Sequence, residues 1–210
     1  MRAFLAWLAV LAVTALAGFI VFELWDTDWR WRPHTIDKHQ AMIAQALDQS
    51  GWVSPHLTGP KLYVIAYRDC AACADFEAKA FPKLQALGVD TRVVMIARPD
   101  LNGQAQSTPV ERAMVAELWT NRSWKLYQQW TTAPEGWTLP EIAPADGDAA
   151  RTSVVLTGRT LASDLAPLLK DNGVRFAYPT LVWWTRDGKM RGCVCDNPKA
   201  WRFVEQELGA

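Results

Sequence analysis

The stretch LYVIAYRDCAAC, residues 62–73, joins an apolar run to two cysteines that stand three positions apart. Its first part, Leu62 to Tyr67, predicts a buried β-strand, and residues 71–87 predict a helix. Pro82 leaves open whether that helix is continuous or is broken or kinked at this residue. A cysteine pair between a strand and a helix is compatible with three kinds of chemistry. It can be a redox dithiol, half of a metal site or a structural disulfide, and this stretch alone leaves all three open.

The position of Cys70 at the start of the predicted helix favours redox chemistry. At a helix N-terminus, the positive end of the helix dipole and unpaired backbone N–H groups stabilise a thiolate. Cys73 lies on the same helical face with its Cβ atom about 5 to 6 Å away, close enough for a disulfide. Cys70 is then the attacking thiolate and Cys73 the resolving thiol. Arg68 is a candidate to favour the thiolate, whereas Asp69 opposes it.

The neighbouring segments predict an α/β core. Residues 91–97, TRVVMIA, predict a second buried strand, so a strand–helix–strand unit with parallel strands is expected. Residues 109–130 carry apolar and aromatic side chains at helical spacing and predict one long helix or two short ones, and a further helix is predicted over about 161–171. Upstream, residues 35–51 predict an amphipathic helix with Thr35 as its N-cap.

The end of the chain predicts a hairpin and a closing helix. TLVWW, residues 180–184, and KMRGCV, residues 189–194, flank the turn signal Asp187-Gly188. Pro198 is placed to open the last helix. The expected order is therefore βαβ, a helical insertion, then ββα.

Three segments of the chain resemble the thioredoxin superfamily. They are LYVIAYRDCAAC, ERAMVAELWTNRSWKLYQQW and VRFAYPTLVWWTRDGKMRG, and with the residues between and around them they cover about residues 60–208. The chain looks most like bacterial periplasmic thiol–disulfide proteins of the Dsb type, especially the catalytic domain of DsbC/DsbG-like isomerases. The resemblance implies a thioredoxin fold with Cys70 and Cys73 as the catalytic pair.

The resemblance also implies a substrate-positioning segment. In these families, a proline before the third core strand is cis and faces the cysteine pair, and Pro179 takes that place. Tyr178, Pro179 and Thr180 are then expected to position an extended substrate chain. The chain departs from the family at Val64, which stands about where thioredoxins carry a buried acid. Residues 26–60 are too short for the dimerisation domain of DsbC-like isomerases.

A second cysteine pair, Cys193 and Cys195, follows Gly192. The resemblance places Gly192 beside the active-site surface, so Cys193 is expected within reach of the first pair. A disulfide between cysteines two positions apart closes a small strained ring, and strained disulfides are labile. The pair is therefore a candidate second redox pair that exchanges electrons with the first, and the alternative is a structural disulfide or two idle thiols.

The N-terminal segment predicts export. Residues 3–22 are uncharged, and about 20 helical residues cross a hydrocarbon core of about 30 Å. An uncleaved anchor is favoured over a cleaved signal peptide, because the apolar run continues beyond the small-residue site Ala15-Leu16-Ala17. We expect a single-pass inner-membrane protein with its C-terminal domain in the periplasm, or a soluble periplasmic protein if the segment is cleaved. That oxidising compartment permits disulfides.

These features divide the chain into three predicted parts. Residues 1–25 form the anchor or signal segment, and residues 26–59 form a juxtamembrane neck with an amphipathic helix. Residues 60–210 form a thioredoxin-like domain with a helical insertion at about 105–175. The α/β fold class is thus a thioredoxin fold preceded by one transmembrane helix.

The charge composition argues against one class of function, nucleic-acid binding. The chain carries 22 basic and 22 acidic side chains, and the basic residues are scattered, so nucleic-acid binding is not expected. The favoured function is an exported thiol–disulfide oxidoreductase with no dissociable cofactor and no metal. Its expected partners are protein thiols or disulfides and a membrane redox protein.

Two other functions remain open. One is a copper or zinc module in which the four cysteines act with His34, His39 or His56. The other is a thioredoxin-like assembly protein without turnover.

Overall fold

The structure is a computed structural model that describes residues 2–209, except for the side chains of residues 2–6, 8 and 9. The chain forms two compact units, Met1–Arg32 and Pro33–Ala210, which are described separately.

The first unit is an apolar helix, α1, Arg2–Leu24, followed by a π-helical turn, Trp25–Trp29. Its large apolar side chains are exposed, and the exposed fractions are 60–61% for Leu11, Leu16 and Phe19. Val10–Trp29 is long and apolar enough to cross a membrane, by length and composition alone. Since a signal sequence meets the same criterion, the structure shows an N-terminal apolar helix and leaves its fate a prediction.

The second unit is a five-stranded sheet covered by helices on both faces. Its described helices are α2 (Gln40–Gln49), α3 (Ala71–Ala86), α4 (Pro109–Asn121), α5 (Trp124–Thr132), α6 (Ala149–Lys170) and α7 (Pro198–Gly209). Its strands are β1 (His34–Thr35), β2 (Lys61–Ala66), β3 (Asp90–Met95), β4 (Thr180–Trp184) and β5 (Met190–Val194).

The strand order is β1-β5-β4-β2-β3. β2 and β3 are parallel and are joined through α3, whereas β4 pairs antiparallel with both β2 and β5. A βαβ unit and a ββα unit that share one sheet in this order form the thioredoxin fold, so the predicted fold class is confirmed. The parallel pair exists because α3 supplies the long crossover that parallel strands need.

The two faces of the sheet carry different helices. On the α6 face, Tyr63, Ile65 and Val182 pack with residues of α2 and α6 in a fully buried cluster. On the opposite face, which we call the α3 face, α3 and α7 pack together. There the rings of Phe76 and Trp201 lie 5.5 Å apart.

Strand alternation assigns Cys193 to the α3 face. A Cβ atom on Gly192 would meet Cδ1 of Ile36 at 2.9 Å, and Ile36 belongs to the cluster of the α6 face, so Gly192 points to that face. Successive residues of a strand point to opposite faces, so Cys193 points to the α3 face. Trp183 follows Val182 of the α6 face and therefore points to the α3 face as well. Its Nε1–H donates to Glu207 of α7 at 3.0 Å.

Several element boundaries differ from the sequence prediction. The predicted N-cap Thr35 is wrong, because Thr35 lies in β1 opposite Arg191, and α2 begins at Gln40. The helix predicted over about 161–171 is longer and begins at Ala149, where the side chain of Asp148 accepts the backbone N–H of Arg151. The first half of this helix carries β-branched residues and Gly158, which have low helix propensity, and tertiary packing overrides that preference.

Two predictions left open are settled by the structure. The segment 109–130 forms two helices, α4 and α5, because Arg122 adopts a left-handed conformation between them with φ of 51°. Pro82 lies inside α3 without ending it. The hairpin at Asp187-Gly188 and the helix that opens at Pro198 are as predicted.

Candidate thiol–disulfide site

Cys70 occupies the N-cap of α3, and its sulfur serves as the capping group. Cys70 Sγ accepts the backbone N–H of Cys73 at 3.1 Å, while the Cys70 carbonyl accepts the N–H of Ala74. The two cysteines form a disulfide and are almost fully buried, with 4% and 2% exposure. The same N–H group and the helix dipole would stabilise a thiolate on Cys70 after reduction.

The predicted positioning segment lies beside this pair. The Tyr178–Pro179 peptide bond is cis, and Thr180 pairs with Ile65 near the end of β2. The ring of Tyr178 meets that of Tyr67, three residues before Cys70, edge to face at 5.0 Å. The turn before β4 therefore contacts the segment that leads into the disulfide.

The side chains of this turn have different surroundings. Thr180 is fully buried, and its hydroxyl donates to the carbonyl of Ala177, so its side chain braces the turn. Tyr178 is half-buried, and burial raises the pKa of its hydroxyl above the usual value. The hydroxyl of Tyr178 therefore stays protonated at neutral pH.

The charges next to Cys70 are arranged differently from the sequence expectation. Arg68 donates to the carbonyls of Ala133 and Pro134 at 2.7 and 2.8 Å, so it holds the insertion. The cation near Asp69 is instead Arg98, at 3.7 Å, and its guanidinium also lies 4.6 Å from the ring centre of Tyr67. Arg98 thus offsets the charge of Asp69 that opposes thiolate formation.

Glu77 is a half-buried acid that the sequence reasoning missed. It lies one turn beyond Cys73 on α3 and, with Tyr127, lines an open groove of about 440 Å³ between α3 and α5. Burial raises the pKa of Glu77 to about 7, and the nearby Tyr127 hydroxyl opposes part of that rise. The available signal was the helical spacing, because Glu77 interrupts the apolar face formed by Cys73, Phe76 and Ala80.

The second cysteine pair is also a disulfide and lies at the same end of the sheet. Cys193 is 5% exposed and Cys195 is fully buried. The N–H of Cys195 donates to the carbonyl of Pro179 at 3.1 Å, and the carbonyl of Cys195 accepts Nε1–H of Trp201 at 2.8 Å. The second pair therefore lies next to the turn that contains Pro179, the predicted positioning segment.

The second disulfide contributes little as a structural cross-link. The chain-entropy relation gives about 1.6 kcal/mol for closing a three-residue loop, against about 4.7 kcal/mol for a loop of 100 residues. β5 is moreover already paired with β4 on one side and β1 on the other. A strand held in this way gains little order from a bond within it.

The histidines suggested as metal ligands have different surroundings. His34 pairs in β1 with Gly192, the residue before Cys193, whereas His39 Nε2 lies 3.1 Å from Asp171 and His56 lies against the ring of Trp52. Within residues 2–209 as described, no three or more His, Cys, Asp or Glu residues form a group that could hold a metal ion.

Comparisons with known proteins add little to this geometry. No protein-family model matches the chain, and no curated protein matches it significantly. Among solved structures, the crystal structure of Salmonella enterica Typhimurium BcfH aligns over 100% of this chain and 94% of its own, with a TM-score of 0.47 and 13% identity. A likeness of that size carries no functional inference. The strand order and the two disulfides define a thioredoxin-fold protein with a Cys-x-x-Cys pair at a helix N-terminus.

Proposed function

We propose that this chain is an exported thiol–disulfide oxidoreductase of the Dsb type that acts on protein substrates. One observation carries the proposal: the sulfur of Cys70 caps α3, and Tyr67, three residues earlier, packs on Tyr178 in the turn that contains Pro179. That placement supplies a stabilised thiolate and a backbone edge in one location. No dissociable cofactor is required for the reaction.

Disulfide exchange at this pair proceeds in two steps. In the oxidising direction, a substrate thiolate attacks Cys70 Sγ, a mixed disulfide forms and Cys73 leaves as the thiolate. A second substrate thiolate then attacks the mixed disulfide, so the substrate disulfide forms and Cys70 is released. Two electrons pass from substrate to enzyme, and the reverse sequence reduces a substrate disulfide.

Cys70 is the sulfur assigned to the substrate. Its neighbours Asp69 and Ala71 are exposed, whereas Cys73 lies deeper on the buried side of α3. Tyr178, Pro179 and Thr180 form the positioning segment, along whose backbone an extended substrate pairs as an added strand. Tyr178 contributes this edge, while Thr180 fixes the turn.

The length and apolar composition of the N-terminal helix support a membrane location for this chemistry. We propose that α1 anchors the chain in the inner membrane and that the domain lies in the periplasm. An anchored oxidoreductase needs a supply of electrons or of oxidant, and a membrane redox protein is the proposed partner.

Insulin reduction by the purified full-length chain in detergent tests the activity. Cys70→Ser is expected to lower the rate to the uncatalysed level, and Cys73→Ser is expected to accumulate mixed disulfides, because the resolving thiol is gone. Ala74→Ser, an exposed change on the same helix, is the matched control and should leave the rate unchanged. An equal rate for Cys70→Ser and the parent chain would contradict the proposal and favour an assembly role without turnover.

A further inference from the structure

The two disulfides are joined by an unbroken ring of contacts. On one side, Tyr67 precedes Cys70 and packs on Tyr178, next to Pro179, whose carbonyl accepts the N–H of Cys195. On the other side, the carbonyl of Cys195 accepts Trp201 Nε1–H, and the ring of Trp201 lies 5.5 Å from that of Phe76. Phe76 follows Cys73 by one helical turn. Every link of this ring lies at one end of the sheet.

Both pairs also share one face of the sheet. Strand alternation directs Cys193 to the α3 face, and α3 itself begins at Cys70. Only β4 lies between β2 and β5, so the two strands are about 10 Å apart. Cys73 is the inner sulfur of its pair, since it shares the buried side of α3 with Phe76.

Burial restricts how the second pair can exchange electrons. Cys193 is as little exposed as Cys70, at 5% against 4%, and Cys195 is fully buried. The surroundings differ, because Asp69 and Ala71 beside Cys70 are exposed, whereas Gly192 beside Cys193 is buried and Val194 is half-buried. Thiol–disulfide exchange requires direct access of the attacking thiolate to the disulfide, so a substrate thiol has better access to Cys70 than to the second pair. Within the domain, Cys73 lies on the buried side of α3, whose Phe76 packs on Trp201.

We propose that Cys193–Cys195 is a second redox disulfide that exchanges two electrons with the Cys70–Cys73 pair inside the domain. This inference rests on the proposed function of the first pair. It assigns the second pair as an internal electron store that is filled and emptied through the first pair.

The exchange balances without another reactant. After a substrate has reduced the first pair, the Cys73 thiolate attacks Cys193 Sγ, the Cys73–Cys193 bond forms and Cys195 leaves as the thiolate. Cys70 then attacks Cys73 Sγ, which re-forms the Cys70–Cys73 disulfide and releases Cys193. Two electrons and two protons have moved from the first pair to the second, and the reverse steps return them.

The first test measures how fast the second pair is reduced in the folded protein. Full-length chain in detergent is treated with dithiothreitol, quenched with acid at intervals and alkylated, and the Cys193–Cys195 peptide is followed by mass spectrometry. In Cys70→Ser/Cys73→Ser, reduction of the second pair is expected to slow by about tenfold or more relative to the parent chain. Circular dichroism and the melting temperature establish that both proteins are folded.

Two results would overturn the inference. Equal rates in the double variant and the parent chain would mean that the second pair opens independently of the first. A second pair that stays oxidised in the folded parent chain, while the first pair is reduced, would mean a structural disulfide.

The second test traps the bond between the pairs. In Cys70→Ser, Cys73 can attack the second disulfide but Cys70 is missing to resolve the product, so a Cys73–Cys193 cross-link and one alkylatable Cys195 are expected. In Cys73→Ser, the corresponding cross-link from Cys70 to the second pair should be less abundant, because Cys70 is the outer sulfur. An intact Cys193–Cys195 peptide with fully alkylated Cys73 would contradict the internal route.

Insulin reduction by Cys193→Ala/Cys195→Ala separates the internal exchange from the proposed function of the first pair. If the two preceding tests fail but this variant still reduces insulin, the internal exchange is wrong and the proposed function stands.

Discussion

At the residue scale, the site depends on how charge is balanced around one sulfur. Asp69 places a carboxylate next to Cys70. The guanidinium of Arg98, which follows β3 in the chain, lies 3.7 Å from that carboxylate. The pair is partly exposed, at 32% and 52% of the two side chains, so its interaction is worth about 0.5 to 1 kcal/mol. That energy is small compared with the free energy of folding. The balance of these two charges nevertheless changes the stability of the neighbouring Cys70 thiolate.

Removing either charge is expected to shift the reduction potential in opposite directions. Arg98→Met leaves Asp69 unbalanced, destabilises the thiolate and lowers the potential of the Cys70–Cys73 pair by about 10 to 20 mV. Asp69→Asn raises the potential by a similar amount. Equilibration with glutathione measures both, and the double variant should return close to the parent value. Shifts of the same sign in both single variants would contradict this account.

At the element scale, α3 combines two functions that the other helices do not share. Its first turn presents the cysteine pair, and its buried side carries Glu77 against α5 and Phe76 against α7. The thiolate end of the helix is therefore fixed by packing along its length. A half-buried carboxyl beside that packing makes the stability of the domain depend on pH.

The half-buried carboxyl of Glu77 is expected to make the domain less stable at high pH. Its pKa rises from 4.5 to about 7 on folding, so the folded state binds more protons between these values and loses stability as the pH rises through them. The expected loss in the free energy of unfolding is about 1 to 3 kcal/mol, which is less than the full pKa shift would give because the side chain is partly exposed. Urea unfolding at pH 5 and pH 8 measures it. Glu77→Gln should flatten the dependence, and Glu135→Gln, in an exposed loop, should not. A dependence left intact in Glu77→Gln would exclude this carboxyl as its origin.

At the scale of the whole molecule, the chain contains a thioredoxin-fold domain and an N-terminal apolar helix. The structure describes the two units separately, and the helix has the length and composition of a membrane span. The anchor is expected to keep the full chain in the membrane fraction after extraction at alkaline pH, with an intact N-terminus by mass. A mature chain that begins after Ala17 and is soluble would show a cleaved signal instead.

The features predicted from sequence are those with local signals. The strand before Cys70, the helix after it and the turn at Asp187-Gly188 each depend on neighbouring residues, so pattern alone found them. β1 was missed, because two residues become a strand only through pairing with β5, far along the chain. Arg98 and Glu77 were missed for the same reason, since their roles depend on Asp69 and Tyr127, which tertiary folding brings close.

The most direct test of the redox account is the equilibrium reduction potential of Cys70–Cys73 in the full-length chain. The purified protein is equilibrated in glutathione buffers, quenched with acid and alkylated, and each cysteine peptide is counted by mass. The account predicts reversible titration between about −120 and −270 mV, the range of catalytic thioredoxin-fold pairs. A disulfide that stays oxidised below about −300 mV would be a structural cross-link and would contradict the account.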